Sequence, residues 1–588
     1  MGTSEKGLPE TIIMDLAASF YGLSLIILFV DTMYYLRPGI AYTVGRVTVI
    51  GVDNFTVFGT ILLDQIVFWA MTALLSSIIT VFTGRKQYLF ITLICAVSFF
   101  TITYAGKQAA LMPSILAAIA LSIALVQWRD WRLIPKSIMY GLGVFEFLKI
   151  IYLASKALTG IYPRLSPSVY TNIVISYYLW FIIPVALCLI IFYGVARTLY
   201  DTGVLSYILK RIHSHVSMFW RKLIEPDEPV NKPGSGTIIS KYLLIGLVLS
   251  LVVGILPYLP TLNPRGISVN TDWIYYYNWL KQMVDGDFSP LYKHSDRPLY
   301  LLFLYSIWSL VKTDPRTLAI YHNIVLLPLY TFSTYLLALK WAGKKTADMV
   351  ALITPFSPIF LSFVYGGFQA NLMAISLVFT SIYLVMSGSK RSFFAGLLLF
   401  LLTMFVHEWT WTQYMIVLTV YVFLRILRTR LNLRRLDWRD KALLCFIVFS
   451  YIVDFGKQCL FNMFSSAIVA EKAIAMASPM PYVDSIHWYV TIYTGGTLNN
   501  PLFYATAVLG LNLVGLSIPG LATILSLLPT VMPWKVITYR LILNTPITIL
   551  AAQGLCKTGE KTRLLLLVSL MGIGLWRLYS IIPGLSLS

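Results

Sequence analysis

Repeated apolar runs constrain this chain more than any other feature of its sequence. Most are about 17–25 residues long, the length that an α-helix needs to cross a hydrocarbon core of roughly 30 Å. The composition agrees, since 58% of the residues are hydrophobic and 12% are charged, against roughly 25% charged in a soluble domain. The short alternating segments of a β-barrel, about 10 residues each, are not the pattern. The sequence predicts an all-α polytopic membrane protein with roughly 17 spans.

The runs form two units joined by a linker. Residues 1–200 hold six predicted spans and have no assignable role. Residues 201–241 are polar, basic and rich in Pro and Gly, which is typical of a cytoplasmic linker. Residues 242–588 form the second unit. Its predicted spans cover residues 242–259, 318–341, 349–364, 372–386, 392–406, 413–426, 443–464, 501–516, 518–531, 541–552 and 564–582.

Basic residues orient these spans. The formal net charge is +20, and it lies mainly in short loops, which face the cytoplasm under the positive-inside rule. We expect membrane lipids as the counter-charge, and no nucleic acid. In this orientation the stretch 298–311 is too short to cross, and it packs at the membrane edge or enters the membrane only partly. In the alternative it crosses fully, which would place Lys344 and Lys345 outside.

A polar stretch at residues 270–300 interrupts the apolar runs on the predicted external side. Its acids are Asp272, Asp285, Asp287 and Asp296. Three consecutive tyrosines and two tryptophans accompany them, and both residue types prefer the boundary between lipid and water. The stretch therefore predicts an interfacial site. A second external segment is expected at residues 465–500.

Asp272 is the first candidate for chemistry. It opens a predicted helix on which Tyr275, Tyr276 and Trp279 share its face at spacings of three, four and seven. A carboxylate held at the membrane surface can take a proton from an acceptor hydroxyl. An aspartate that only caps the helix explains the same position.

Asp296 is the second candidate, because it flanks the same stretch from the other side. Its place just before Pro298 is also an ordinary helix-start signal. Asp285 and Asp287 suggest a solvated turn, although an Asp-Gly-Asp turn could bind a divalent cation. The sequence indicates no other cofactor and assigns no metal ligands.

A span, an external loop with an early Asp, and an acid just before Arg-Pro-Leu and an apolar helix resemble the GT-C glycosyltransferase fold. The TPFSP stretch at residues 354–358, with the turn that follows it, resembles the proline-containing span of that family. The resemblance covers about residues 241–588. It implies transfer of a sugar from a polyprenyl-phosphate carrier, such as dolichyl phosphate, at the external membrane face. By this resemblance Asp272 matches the catalytic carboxylate, and Asp296 matches the acid before the proline helix.

The sequence also departs from part of that family. The WWDYG motif of oligosaccharyltransferase catalytic subunits is absent, and their large soluble C-terminal domain is not expected here. The nearer comparison is with protein mannosyltransferases and aminoarabinose transferases, which transfer single sugars. The six-span unit ahead of the fold is not part of the familiar pattern.

A donor that carries phosphate needs cations at the external face. The candidates are Arg540, Lys535 and Arg297, although an arginine at a span end can equally reach lipid headgroups. A sugar could stack on Trp409 or Trp411, which aromatic-belt anchoring explains as well. The residues expected to line the substrate site are Tyr276, Trp279, His294, Asn371, His407, Glu408 and His487.

The sequence thus predicts an inverting glycosyltransferase of the plasma membrane, acting on an acceptor protein or lipid. A secondary transporter or lipid-carrier flippase is the alternative. It would need repeats and broken helices near the bilayer midplane, whereas no repeat is evident and the polar residues concentrate at one face. A non-catalytic assembly partner that keeps the fold is a third hypothesis. Asp454 and Lys457 are expected to neutralise each other within one span.

Overall fold

The computed structural model describes residues 182–203, 240–429, 432–476, 500–528 and 538–580, with short pieces at 43–44, 47–48, 478–479, 534–535 and 582. Most of these residues are helical. The extended pieces are two antiparallel pairs of two-residue strands. They are β1 (Thr43–Val44) with β2 (Val47–Thr48), and β3 (Ser478–Pro479) with β4 (Trp534–Lys535).

The α-helices of the described chain divide at the linker and at the polar stretch. Before and around that stretch they are α1 (Ile182–Asp201), α2 (Lys241–Ile255), α3 (Trp273–Val284), α4 (Pro290–Lys293), α5 (Pro298–Val311) and α6 (Pro315–Tyr321). The central helices are α7 (Asn323–Trp341), α8 (Lys344–Ile353), α9 (Pro358–Gly366), α10 (Gln369–Val385), α11 (Lys390–Val406), α12 (Glu408–Arg428) and α13 (Trp438–Phe461). The last ones are α14 (Ser466–Met476), α15 (Pro501–Leu509), α16 (Ile518–Leu527), α17 (Thr538–Leu543), α18 (Ile547–Cys556) and α19 (Glu560–Ser580). Single 3-10 turns lie at Leu256–Tyr258, Thr354–Phe356, Leu433–Arg435 and Leu511–Leu513.

Several of these helices have the length and composition of membrane spans. Within the described residues, five segments qualify: Lys241–Tyr258, Pro315–Trp341, Lys344–Gly366, Glu408–Arg428 and Trp438–Phe461. Five further apolar helices have 10–17 residues: Pro298–Val311, Gln369–Val385, Ile518–Leu527, Ile547–Cys556 and Thr562–Leu575. The all-helical class with apolar helices of spanning length is confirmed, and the total of roughly 17 spans stays a prediction.

The core lies around α7, which packs against α2, α8 and α10. Small residues let these helices approach closely, as is usual in membrane bundles. A Cβ on Gly246 of α2 would overlap the carbonyl oxygen of Ala351 in α8. The hydroxyls of Ser250 in α2 and Thr331 in α7 lie 2.7 Å apart inside the bundle. Close backbone approach and internal hydrogen bonds therefore hold this core together.

The two ends of the bundle differ in charge. The segment α8–α9 begins at Lys344 and ends at Gly366, where Thr271 donates from its N and its Oγ1 to the carbonyls of Tyr365 and Gly366, each at 2.9 Å. The polar stretch thus lies at the end opposite to Lys344; we call these the loop end and the basic end. The basic end carries Lys241, Lys344, Lys345, Lys390, Arg391, Arg428, Arg434, Arg435, Arg439, Lys441 and Lys557.

Helix α5 does not carry the chain to the basic end. Tyr300, near its start, hydrogen-bonds His322, which immediately precedes α7. The chain therefore leaves and returns at the same end between these two residues. Helix α5 has 14 residues, about 21 Å at 1.5 Å per residue, which is short for a span. The expectation that 298–311 does not cross is confirmed, and the crossing alternative is wrong.

The expected span at residues 541–552 is wrong, because two helices replace it. Helix α17 ends at Leu543 and α18 begins at Ile547. Pro546 stands between them; it has no backbone N–H, and it disfavours helical geometry in the residue before it. The break places polar backbone and side chains inside the bundle.

The expected external segment 465–500 is wrong at its far end. Helices α15 and α18 run antiparallel, since Gly554 abuts Thr506 whereas Gly510 abuts Leu550. Helix α18 ends beside the start of α8, at the basic end. Asn500, just before α15, therefore lies at the basic end. A short apolar run and its antiparallel neighbour could not be told from two spans by hydropathy alone.

Helix α1 packs directly on the second unit, although the sequence assigns it to the first. Gly194 lies against Ile524 and Val514, with no space for a Cβ. The carboxylate of Asp201 accepts a hydrogen bond from the backbone N of Leu516 at 3.2 Å. The last predicted span of the N-terminal unit thus contacts α15 and α16.

Candidate functional site

A glycine turn sets the start of α3. Gly367 has a φ of +64°, a left-handed conformation that favours glycine, and a Cβ there would overlap the Asn270 side chain. The Oδ1 of Asn270 in turn accepts a hydrogen bond from the backbone N of Asp272 at 3.1 Å. The turn between α9 and α10 thereby positions the first candidate acid.

Asp272 precedes α3 but does not cap it. Its backbone lies at φ −89° and ψ 0°, and its side chain makes no capping hydrogen bond to the helix. The side chain is partly exposed and interacts electrostatically with Tyr276, one turn later. Capping, the other explanation for this aspartate, is therefore not what its side chain does.

Arg297 joins Asp296 to Tyr276. Its Nε lies 3.2 and 3.1 Å from the two carboxylate oxygens of Asp296, and its Nη2 donates to Oδ2 at 2.6 Å. Its Nη1 donates to the Tyr276 hydroxyl at 3.3 Å. The same hydroxyl accepts a second hydrogen bond, from the backbone N of Ala370 at 3.3 Å. The predicted acids Asp272 and Asp296 are thus brought together through Tyr276.

Asp296 is held in its ionised form. Its burial raises its pKa, but the charge and hydrogen bonds of Arg297, with smaller effects from His407 and His294, bring the pKa below its ordinary value. The residue is only 8% exposed. A carboxylate engaged in this way is a poor proton acceptor, and its evident effect is to orient Arg297.

Trp279 forms an aromatic cluster with three of the predicted residues. Its ring lies 4.2 Å from that of His294 and 5.4 Å from that of Tyr276, and the Arg297 guanidinium lies 5.5 Å from it. Burial lowers the pKa of His294 and favours its neutral form. Tyr275, expected on the same face, is instead 56% exposed. Trp279 therefore packs the loop together and has little free face to offer a sugar.

His407, Glu408 and Asn371 are buried beside this cluster. The backbone N of Glu408 donates to the Asp296 carbonyl at 2.9 Å, which ties the start of α12 to the loop. Thr410 donates from its N to His407 Nδ1 at 3.3 Å and from its Oγ1 to Asn371 Oδ1 at 2.5 Å. The Nδ2 of Asn371 has no partner among the described residues. The three predicted residues are brought together and are buried, whereas Asp272 is partly exposed.

Lys457 is a member of this region that sequence reasoning placed incompletely. Its ammonium pairs with Asp454 at 3.2 Å, as expected, and also with Glu408. Asp454 accepts further hydrogen bonds from the N and Oγ of Ser466 at 3.1 and 2.6 Å, at the start of α14. Two buried carboxylates thus share one ammonium. The contact with Glu408 joins positions 49 residues apart, so helical spacing could not reveal it.

Arg316 is a cation of the loop end that sequence reasoning missed. It lies exposed at the start of α6, with its guanidinium 5.3 Å from the ring of Trp273, the residue after Asp272. Helices α3 and α6 pack together, which brings this arginine to the candidate acid. In the sequence, Arg316 is only part of a Pro-Arg pair in a short turn. Nothing in that pattern predicts its contact with Trp273.

A second polar cluster lies inside the bundle at the break between α17 and α18. Asn544 Nδ2 donates to Gln413 Oε1 at 2.8 Å, and Gln413 Nε2 donates to Ser526 Oγ at 2.6 Å. Tyr414 Oη donates to the Asn544 carbonyl at 2.6 Å. The Oδ1 of Asn544 has no partner among the described residues. Asn544 Nδ2 also lies 3.4 Å from Thr410 Oγ1, so this buried cluster adjoins His407 and Asn371 of the candidate site.

Several other expectations have definite outcomes. Trp411 is fully buried, so a sugar cannot stack on it. The carboxylate of Asp287 accepts from the N and Oγ of Ser289 at 2.8 and 2.9 Å, which lowers its pKa and closes a solvated turn. Over the part of the chain that the structure describes, no group of three or more His, Cys, Asp or Glu side chains could hold a metal ion.

Three predicted residues cannot be placed in the site. His487 lies outside the described residues, and so do the side chains of Lys535 and Arg540. The backbone of Lys535 belongs to β4 and that of Arg540 to α17. Their expected contact with a donor phosphate stays a prediction.

Comparisons of the chain with protein-family models, with curated proteins and with solved structures gave no match.

Proposed function

We propose that the protein is a membrane glycosyltransferase that moves a sugar from a polyprenyl-phosphate donor to an acceptor at the loop end. The observation that carries the proposal is the placement of Asp272. It is a partly exposed acid at a helix start that it does not cap. It also lies at the end of the bundle opposite to the basic loops, which under the positive-inside rule is the external end.

Asp272 is the general base in this proposal. It takes the proton of the acceptor hydroxyl while the acceptor oxygen attacks the anomeric carbon and the bond from that carbon to the phosphate breaks. Attack from the face opposite to the leaving phosphate inverts the anomeric configuration. Asp296 is assigned a positioning role, because Arg297 already occupies its carboxylate.

Cations at the loop end stabilise the departing polyprenyl phosphate. Arg316 is exposed beside Trp273 and is suited to receive a phosphate through its planar fork. Arg297 keeps N–H groups beyond those that bond Asp296 and Tyr276, since a guanidinium has five. These two arginines replace the untested Lys535 and Arg540 as the first residues to examine.

The test is the substitution Asp272→Asn in the full chain, reconstituted with radiolabelled mannose on polyprenyl phosphate and with membrane acceptors. Loss of a general base lowers the rate by about 10²–10⁴-fold, so we expect transfer to fall by that factor. Asp285→Asn is the matched control, because Asp285 is an exposed acid at the far end of the same helix. Equal transfer by Asp272→Asn and the wild type would contradict the proposal.

The broken helix favours one other function, a transporter for the lipid carrier. Discontinuous helices with buried polar groups are where many transporters bind substrate, and the Asn544 cluster has that character. The full chain reconstituted in liposomes with the same labelled lipid distinguishes the two functions. A carrier would move the labelled lipid between leaflets without transferring its sugar, and Asn544→Ala, not Asp272→Asn, would abolish that movement.

A further inference from the structure

A cluster of arginines at the basic end forms an open pocket that the proposed function does not use. The pocket has a volume of about 360 Å³ and is lined by Arg425, Arg428, Thr429, Arg435, Asp437 and Asp440. Its residues come from the end of α12, the 3-10 turn that follows and the start of α13. Three arginines and two aspartates leave it with one net positive charge.

The aspartates hold only one of the three arginines. Arg425 Nε donates to Asp440 at 2.8 Å, and its Nη2 lies 3.5 Å from Asp437. Asp437 also caps α13 by accepting from the backbone N of Asp440 at 2.8 Å. Neither Arg428 nor Arg435 has a carboxylate partner among the described residues. The pocket thus presents one oriented guanidinium and two more without a counter-charge.

The surroundings place this pocket at the level of lipid headgroups. Phe423 on α12 and Val448 and Phe449 on α13 lie on the helix turns between the pocket and the middle of the bundle. Each exposes more than half of its surface. Trp438 stands at the boundary, half exposed, with Lys390 and Arg439 within 6 Å of its ring. Tryptophan at such a boundary marks the membrane–water interface.

We propose that this pocket binds the phosphate of an anionic phospholipid from the leaflet at the basic end. Planar guanidinium groups match phosphate oxygens in pairs, and a lipid headgroup is the phosphate source that reaches this level. The uncompensated charges of Arg428 and Arg435 supply the attraction, while Arg425 supplies an orientation fixed by Asp440.

The test is a titration of the purified full chain, in neutral detergent, with phosphatidylglycerol or phosphatidylcholine, followed by native mass spectrometry. We expect saturable binding of phosphatidylglycerol alone. The double variant Arg428→Gln/Arg435→Gln should weaken it about tenfold or more, because it removes two charged groups that would contact the phosphate. The matched control Arg434→Gln/Arg391→Gln removes the same charge from exposed residues outside the pocket and should change binding little.

Two results would overturn the proposal. Equal weakening by both double variants would show attraction to net charge, with no particular pocket. Displacement of the lipid by inorganic phosphate at equal concentration would assign the pocket to a soluble phosphate instead. Unchanged thermal unfolding of both double variants, expected because all four arginines are exposed, would show that they fold.

Discussion

Lys457 is the residue on which the buried charges below the site depend. Glu408 is 0% exposed and Asp454 is 4% exposed, and a carboxylate left without a counter-charge in such a place is costly. The neighbouring pair of Asp296 and Arg297 is balanced by itself. The charge of Lys457 is therefore shared between Glu408 at the start of α12 and Asp454 within α13.

We predict that Lys457→Met destabilises the protein by about 3–5 kcal/mol, the usual effect of breaking a buried ion pair from one side. Unfolding in detergent, followed by circular dichroism, measures it. Lys441→Met, an exposed lysine on the same helix, is the control and should change stability by less than about 1 kcal/mol. Recovery in the triple variant Lys457→Met/Glu408→Gln/Asp454→Asn would identify charge as the cause, and its absence would point to packing.

Single residues show which features of this candidate site have a signal in the sequence. Asp272 and Asp296 could be predicted because local signals, a helix start and a following proline, mark them in the chain. The pairing of Asp296 with Arg297 is also local. Lys457 with Glu408, and Arg316 with Trp273, are contacts between separate helices. They depend on how the bundle packs, which periodicity does not encode.

Helices α15 and α18 depend on glycine for their approach. Gly554 and Gly510 each abut a backbone carbonyl of the opposite helix, and neither position has space for a Cβ. Since the obstacle is backbone, a side chain there would push the helices apart and cost the dispersion contacts along their interface.

We expect Gly554→Ala to lower the midpoint of thermal unfolding in detergent by several degrees, as overpacking costs about 1–3 kcal/mol. Gly559→Ala, in the turn just after α18, is the matched control, because nothing lies within 4 Å of its added Cβ. A Gly554→Ala protein as stable as the control would mean that the two helices are not in contact in the membrane.

The break between α17 and α18 was readable in principle. Pro546 is a helix breaker, but the continuous hydropathy of residues 541–552 masks it and predicts one span. The proline-containing segment α8–α9 was predicted as a span and is one by length and composition. A proline thus interrupts both segments. Ser357, just before Pro358, has an extended backbone at φ −72° and ψ 148°, so α8 and α9 are separate helices within one segment of spanning length.

The described part of the molecule is polarised along the bundle axis. Hydropathy and loop charge were sufficient to predict that the polar stretch and the main basic loops lie at opposite ends, because that separation is a property of sequence segments. The place of Asn500 was not predictable in this way, since it follows from the antiparallel packing of α15 and α18.

Labelling from the two sides tests this polarity. In a variant whose native cysteines are replaced by serine, single cysteines introduced as Asp285→Cys and Ser389→Cys are both at exposed positions. A membrane-impermeant maleimide added to intact cells should label Asp285→Cys only, and should label Ser389→Cys only after the cells are opened. Labelling of both in intact cells would refute the arrangement of the two ends.

The separation of charge between the ends also has an electrical consequence. When the membrane potential is negative inside, the orientation with the basic end inside is favoured. The difference is about 2.3 kcal/mol for each positive charge at a potential of 100 mV. A living cell thus supplies two things: the insertion machinery that establishes the orientation, and an electric field that maintains it. Vesicles of neutral lipid without an imposed voltage supply neither, so they accept the protein both ways round. Under the proposed function, transfer measured in such vesicles reports only the molecules whose loop end faces the added substrate.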